Sequence, residues 1–446
     1  MSRFLGARSA LSCLGAAVAC VATVTAGAQG QPDYERSPIN YSRSAPHDEV
    51  AQLLSRLSRH EVTLTGSDRD ILRTLLRELR IPIASQIVVF SQTSLQARLI
   101  HPQNPRAIYF SDTVYVGWVP GGVIEVAAID PELGPVFYGF NPAEARTGRR
   151  TFVRESSCLR CHGGNQSGDI PSLLARSVYA QANGRPMDRY GSVAMDDRTP
   201  FDQRWGGWYV SGYTGQTAHR GNAFGRERGD QLIFNQSERR PADLTEFFDP
   251  SPYLAATSDV VALAVFQHQV ALHNVLTRAA HGFRRALASQ QSLQRALHEP
   301  ETAEATYTST QSALAAAAED VLDGLLFRNA APLPAGVHGS AAFREAFASG
   351  ARRSQEGQYL KDLAPQGRLF ANRCSFLIYS DSFATLPLTL KNRVLDRLGT
   401  ILRDGDTSGR YAYLDDDERH RILAVLLETL PGFRGTLDAS VRSPNR

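Results

Sequence analysis

The sequence predicts an α+β protein: a mixed β region followed by a mainly helical C-terminal half. Three observations predict it. Strand-type runs crowd between Ile87 and Phe140. The turn Pro120-Gly121-Gly122 separates two of them as a hairpin. From Asp259 onward apolar residues recur at helical spacing instead. The chain shows no internal repeat.

The elements follow in order. Arg3 and Arg8 precede an apolar run, Ala10 to Ala26, and Ala26-Gly27-Ala28 closes it before Gln29. A charged start, an apolar middle and a small-residue end read as a secretory signal peptide, 1–28, cleaved after Ala28. The run is short for a membrane span. Ala17-Val18-Ala19-Cys20 offers a weaker lipoprotein-type alternative, and an uncleaved anchor is the third. The expected location is periplasmic or secreted. Residues 29–66, polar and containing Pro32, Pro38 and Pro46, read as a loose lead-in.

Residues 67–250 read as the α+β domain. Ser67-Asp68 caps a helix over 69–80 with Ile71, Leu72, Leu75, Leu76 and Leu79 on one face. Strands are expected at 87–90, 114–119, 123–129 and 136–140. Further β-like sequence lies at 173–180 and 192–195, around Asn183-Gly184, and at Trp205 to Val210. Residues 251–446 read as a helical domain, with helices near 259–289 (capped by Ser258), 309–326, 341–348, 386–403 and 416–429.

Composition excludes several classes. The formal charge is +3, and loss of Arg3 and Arg8 leaves about +1, which argues against a nucleic-acid or anionic-membrane partner. After the leader no segment reads as long and apolar enough to cross a bilayer. Of five Cys, Cys13 and Cys20 fall in the leader, and Cys374 sits in an apolar run as an expected inert thiol. Cys158 and Cys161 remain.

These two belong to Cys158-Leu159-Arg160-Cys161-His162. C-x-x-C-H is the sequence at which haem is fixed covalently. Two thiols three positions apart form thioethers to the porphyrin vinyl groups, and the adjacent His ligates the iron. A structural zinc site would need further Cys or His at regular spacing, and no second C-x-x-C exists. A redox disulfide would leave His162 without a role. One haem c per chain is the expected cofactor.

From Ser157 to Leu174 the chain resembles c-type cytochromes. The resemblance implies Cys158, Cys161 and His162 as the attachment set. It also implies that the Pro171 carbonyl accepts the proximal imidazole N–H and that Leu173 packs on the ring. Gly163-Gly164 would let the backbone turn away close to the porphyrin. The chain departs from small cytochromes in that β-like sequence follows the motif, not a helix bearing Met. In this it resembles large exported single-haem bacterial proteins.

The sixth iron ligand stays open. His219 lies in a Gly-rich loop. His268 and His273 lie on the helix that starts near Asp259, their spacing of five placing them about 140° apart. Met195 and Met187 are further candidates, and an open or water-bound position is the alternative. Trp205, Trp208, Tyr209 and Tyr213 could wall the haem, and Arg160, Arg204 or Arg220 could pair with its propionates. Residues 404–415 fit the spacing of a calcium loop, but Ala412 cannot ligate, and Asp415 to Asp417 capping the next helix explains them without metal.

The leading expectation is an exported monohaem cytochrome carrying electrons between redox partner proteins. A haem enzyme acting on peroxide or another small oxidant is the alternative, and a haem sensor or partner-binding module is the third. No Ser–His–Asp, P-loop or dinucleotide fingerprint is visible in the sequence.

Overall fold

Seven strands form one antiparallel sheet: β1 (Ile87–Val89), β2 (Arg106–Phe110), β3 (Val114–Trp118), β4 (Ile124–Asp130), β5 (Gly134–Phe140), β6 (Phe152–Arg154) and β9 (Trp208–Tyr209). They lie in the order β6-β5-β4-β3-β2-β1-β9. The computed structural model describes residues 31–145, 152–164, 168–236 and 240–435. The leader reading, 1–28, and the Cys20 alternative lie outside them.

Alternation along the strands divides two cores. Val88, Tyr109, Val116, Val126 and Val136 face one way, toward α1 (Glu49–Ser58) and α2 (Asp68–Glu78). Ile87, Ile108, Tyr115, Phe137 and Trp208 face the other way, toward the helical half. The architecture is α+β, with the sheet as a shared wall.

The expected hairpin is present, and β3 and β4 flank Pro120-Gly121-Gly122. β2 and β6 are strands of this sheet that the sequence pattern did not reveal; the apolar run of β2 is only four residues long and follows Pro105 and Arg106. Helix α2 starts at a full capping box between Ser67 and Asp70. It ends two residues short of the expected 80, where Arg80 turns left-handed at φ 55°. Its Ile71, Leu72, Leu75 and Leu76 are buried, each contributing about 1.5–3 kcal/mol.

The 29–66 segment is not a loose lead-in where it is described. Asp48 caps α1, which buries Val50 and Leu53. Tyr41 donates to the Pro135 carbonyl at 2.7 Å, and the His47 amide donates to Asp130 at 2.6 Å, so this stretch is tied to the sheet. Its prolines obscured an amphipathic helix.

Two small helices, α3 (Pro142–Ala145) and α4 (Leu159–His162), flank β6. Small two-stranded pairs follow: β7 (Arg176–Val178) with β8 (Ser192–Ala194), β11 (Gly225–Arg228) with β12 (Gln231–Phe234), and β10 (Tyr213–Thr214) with β13 (Val337–His338). The helical half comprises α5 (Val260–Ala296), α6 (Thr308–Leu325), α7 (Ala341–Ala348), α8 (Asp381–Ala384), α9 (Leu388–Asp404) and α10 (Asp416–Thr429).

Asp259, not Ser258, caps α5, accepting from the amides of Val261 and Ala262. Ser258 Oγ instead accepts from the Val88 amide and donates to the Tyr209 carbonyl, stitching β1 to β9. By length and composition α5 could cross a membrane, which corrects the expectation that no later segment qualifies. Its most apolar window is 83% buried inside the fold. Phe266 of α5 lies 5.6–5.8 Å, ring to ring, from Phe110, Tyr115 and Trp208. The described residues from Pro32 onward therefore pack as one unit, without the expected division near residue 250.

The 404–415 loop uses its oxygens internally. Asp406 pairs with Arg397 at 2.6 Å and accepts from Ser408 and Tyr411. Asp415 caps α10 through the Glu418 amide.

Candidate functional site

The C-x-x-C-H segment follows edge strand β6. Glu155 accepts from the Ser157 amide and starts a 3₁₀ turn, Ser156–Cys158, that runs into α4. Spacing of three puts Cys158 and Cys161 on one helical face. Cys158 is half-buried, Cys161 is exposed, and both thiols are free. Burial pushes the Cys158 thiol up to about 11, with Glu125 and Glu155 adding to it.

The His162 ring lies 4.7 Å from the Phe137 ring of β5. Its Nδ1 donates to the Ser172 carbonyl at 2.8 Å. A carbonyl can only accept, so the proton sits on Nδ1 and the Nε2 lone pair is left without a partner among the described residues. Burial lowers the imidazole pKa, which keeps the ring neutral. The chain around Ser172 is held in turn. The Ser172 amide donates back to the His162 carbonyl, and Leu173 exchanges two 2.8 Å bonds with Asn274 of α5.

Three expectations from the resemblance meet this geometry. The accepting carbonyl is that of Ser172, one residue after Pro171, which is buried beside it. Leu173 lines the cavity under the motif. Gly163 serves packing: a Cβ there would stand 2.4 Å from the Tyr34 hydroxyl oxygen.

That cavity, about 270 Å³, lies between the sheet and α5. Cys158, Cys161 and His162 form one wall, Ile108, Tyr115 and Phe137 are on the sheet, and Phe266 and Val270 close it from α5. Its charged groups are Arg106, Glu125 and Arg176. Arg106 on β2 reaches across β3 to Glu125 on β4 at 2.6 Å. It crosses over Gly117, where a Cβ would stand 2.2 Å from Nη2. Sequence reading missed Arg106 and Arg176. The only available hint was a glycine inside a strand, which marks close approach. Of the expected arginines, Arg160 is exposed on α4, while Arg204 and Arg220 lie elsewhere. Of the four aromatics, Trp208 alone lines the cavity.

None of the sixth-ligand candidates lines it. His268 is fully buried with both nitrogens engaged, Nδ1 to Asp197 at 2.7 Å and Nε2 to Ser375 at 2.7 Å. His273 Nε2 donates to the Asp112 carbonyl at 2.8 Å. His219 packs between Phe201 and Trp205, its Nδ1 accepting from the Gly221 amide. The Met195 sulfur accepts from the Trp205 amide, and Met187 is buried under Gly225. Apart from His162, no His or Met among the described residues lines the cavity.

Asp197, His268 and Ser375 do form a Ser–His–Asp line, invisible in a sequence that spreads it over three segments. Ser375 is fully buried and its Oγ caps the turn at Leu377, while Phe327 stacks on the imidazole at 4.4 Å. The line ties α5 to the segments that carry Asp197 and Ser375. Among the described residues no group of three or more His, Cys, Asp or Glu is placed to hold a metal ion. No family model, curated protein or solved structure matches the chain.

Proposed function

We propose that the chain is an exported monohaem c-type redox protein with an exchangeable sixth position at the iron. One observation carries the reading. The C-x-x-C-H motif opens onto a largely apolar cavity into which, among the described residues, no second His or Met projects. The residues present fit the group. Cys158 and Cys161 would hold it through thioethers, and Nε2 of His162 would ligate the iron. When bound, haem supplies Fe(II)/Fe(III) cycling.

The chain's own residues do the rest. The Ser172 carbonyl holds the Nδ1 proton, fixing the ring orientation and keeping Nε2 basic. Tyr115, Phe137 and Phe266 exclude water from the inner wall. Arg106, steadied by Glu125, and Arg176 offer cations to carboxylates at the rim. An open sixth position suits chemistry on peroxide or another small oxidant. Electron carriage between partner proteins is the second reading, favoured by the exposure of Cys161, which brings the attachment edge to the surface.

The test is intact mass and the reduced absorption spectrum of protein matured in cells able to attach haem. Added porphyrin mass and a rapid spectral shift with carbon monoxide are expected. Added mass with no shift selects the electron carrier. A colourless product of unmodified mass overturns both readings.

A further inference from the structure

A second and larger cavity, about 560 Å³, lies on the helical side of the molecule, away from the C-x-x-C-H motif. That volume is in the range of small-molecule sites. Its most unusual wall residue is Arg204, which is only 3% exposed. The guanidinium donates to two backbone carbonyls, those of Thr199 and Asp197. It forms no ion pair, and Nη1 has no partner among the described residues. The nearest acid is already committed, since the Asp197 carboxylate is bonded to His268. A buried cation without a carboxylate is costly unless something else meets it.

Two further arginines line the same space, Arg368 and Arg373. Both pair with the buried Glu418, at 2.9 and 2.5 Å. Glu418 thus serves Arg368 and Arg373, while Asp196 and Asp197 act on Arg204 only through space and neither forms an ion pair with it. The rest of the wall combines apolar Phe327, Leu333, Leu369 and Phe370 with polar Asn329, Gln366 and Tyr413. Phe327 and Asn329, on the loop at its edge, hold left-handed φ values of 56° and 59°. Phe327 takes this conformation just past the end of α6, as helix-terminating residues commonly do, and Asn adopts it readily.

We propose that this cavity binds a small organic monoanion, a carboxylate on an apolar body, with Arg204 as its anchor. A carboxylate matches the planar guanidinium fork, and the apolar part rests on the phenyl and leucyl wall. The assignment is independent of haem.

Benzoate is the probe, titrated into the full matured chain by calorimetry, with benzyl alcohol and inorganic phosphate as comparisons. Benzoate is expected to bind at one site, about tenfold or more tighter than benzyl alcohol, and tighter than phosphate. Arg204→Gln should weaken benzoate about tenfold or more. Because that substitution alters a buried group, Ala330→Trp serves as the second variant. Ala330 is an exposed residue lining the cavity, and an indole there should block binding while the thermal midpoint stays unchanged. No benzoate binding, equal binding of benzyl alcohol or phosphate, or full binding by a folded Arg204→Gln or Ala330→Trp protein would each overturn the proposal.

Discussion

Lowering the pH from 7 to 5 should cost this protein much of its stability, through three imidazoles that the fold keeps neutral. Burial pulls His219, His273 and His281 each down to about 4. Neighbouring charge adds to this at two of them, Arg240 at His219 and Arg284 and Arg285 at His281, while the Asp112 carboxylate opposes it at His273. Bonds to the Asp112 and Glu132 carbonyls oppose it at His273 and His281. In the unfolded chain all three titrate near pH 6.5. Between these values the unfolded state binds protons that the native state refuses. The stability is whole above pH 6.5 and is lost as pH falls toward 4. At pH 5 each group costs about 2 kcal/mol, and the three together about 6 kcal/mol. A typical total stability is about 5–15 kcal/mol. Carboxylates such as Asp406, held down to about 2, contribute to acid lability only below about pH 4, outside this window. Asp48, raised by burial, works in the opposite sense. The assay is urea unfolding at pH 7, 6 and 5, repeated with His281→Gln, which should shed about a third of the loss. A change under about 1 kcal/mol between pH 7 and 5 would refute the reasoning.

Two structural predictions accompany it. Gly163→Ala should destabilise the chain by about 1–3 kcal/mol through overpacking against Tyr34, and Tyr34→Phe in the same chain should recover part of that loss in chemical denaturation. Glu418→Gln strips the shared partner from Arg368 and Arg373 in a fully buried position. It should cost about 3 kcal/mol or more, read as a fall in the denaturation midpoint without a change in slope.

Local rules made part of this molecule legible in the chain alone. The Ser67 cap, the Pro120-Gly121-Gly122 hairpin and the helices at 341–348 and 416–429 depend on neighbours a few residues apart, and they stand where pattern placed them. The C-x-x-C-H motif was visible for the same reason, since its three chemical groups share five consecutive positions. The surroundings of that motif were not. Pro171 looked like the carbonyl partner of His162, and the turn delivered Ser172 instead. A shift of one residue in an irregular segment leaves no mark on composition.

The sequence by itself determined that two thiols and an imidazole stand within five consecutive positions, and that strands precede a helical half. Only the tertiary structure decided what faces them. Arg106, Tyr115, Phe137 and Phe266 come from four elements and meet through strand register and the packing of α5. The same packing turned His268 and His273 toward Asp197 and Asp112, away from the cavity. Side-chain chemistry is written residue by residue, but proximity across a sheet or between helices is set by long-range burial. No window of sequence contains it.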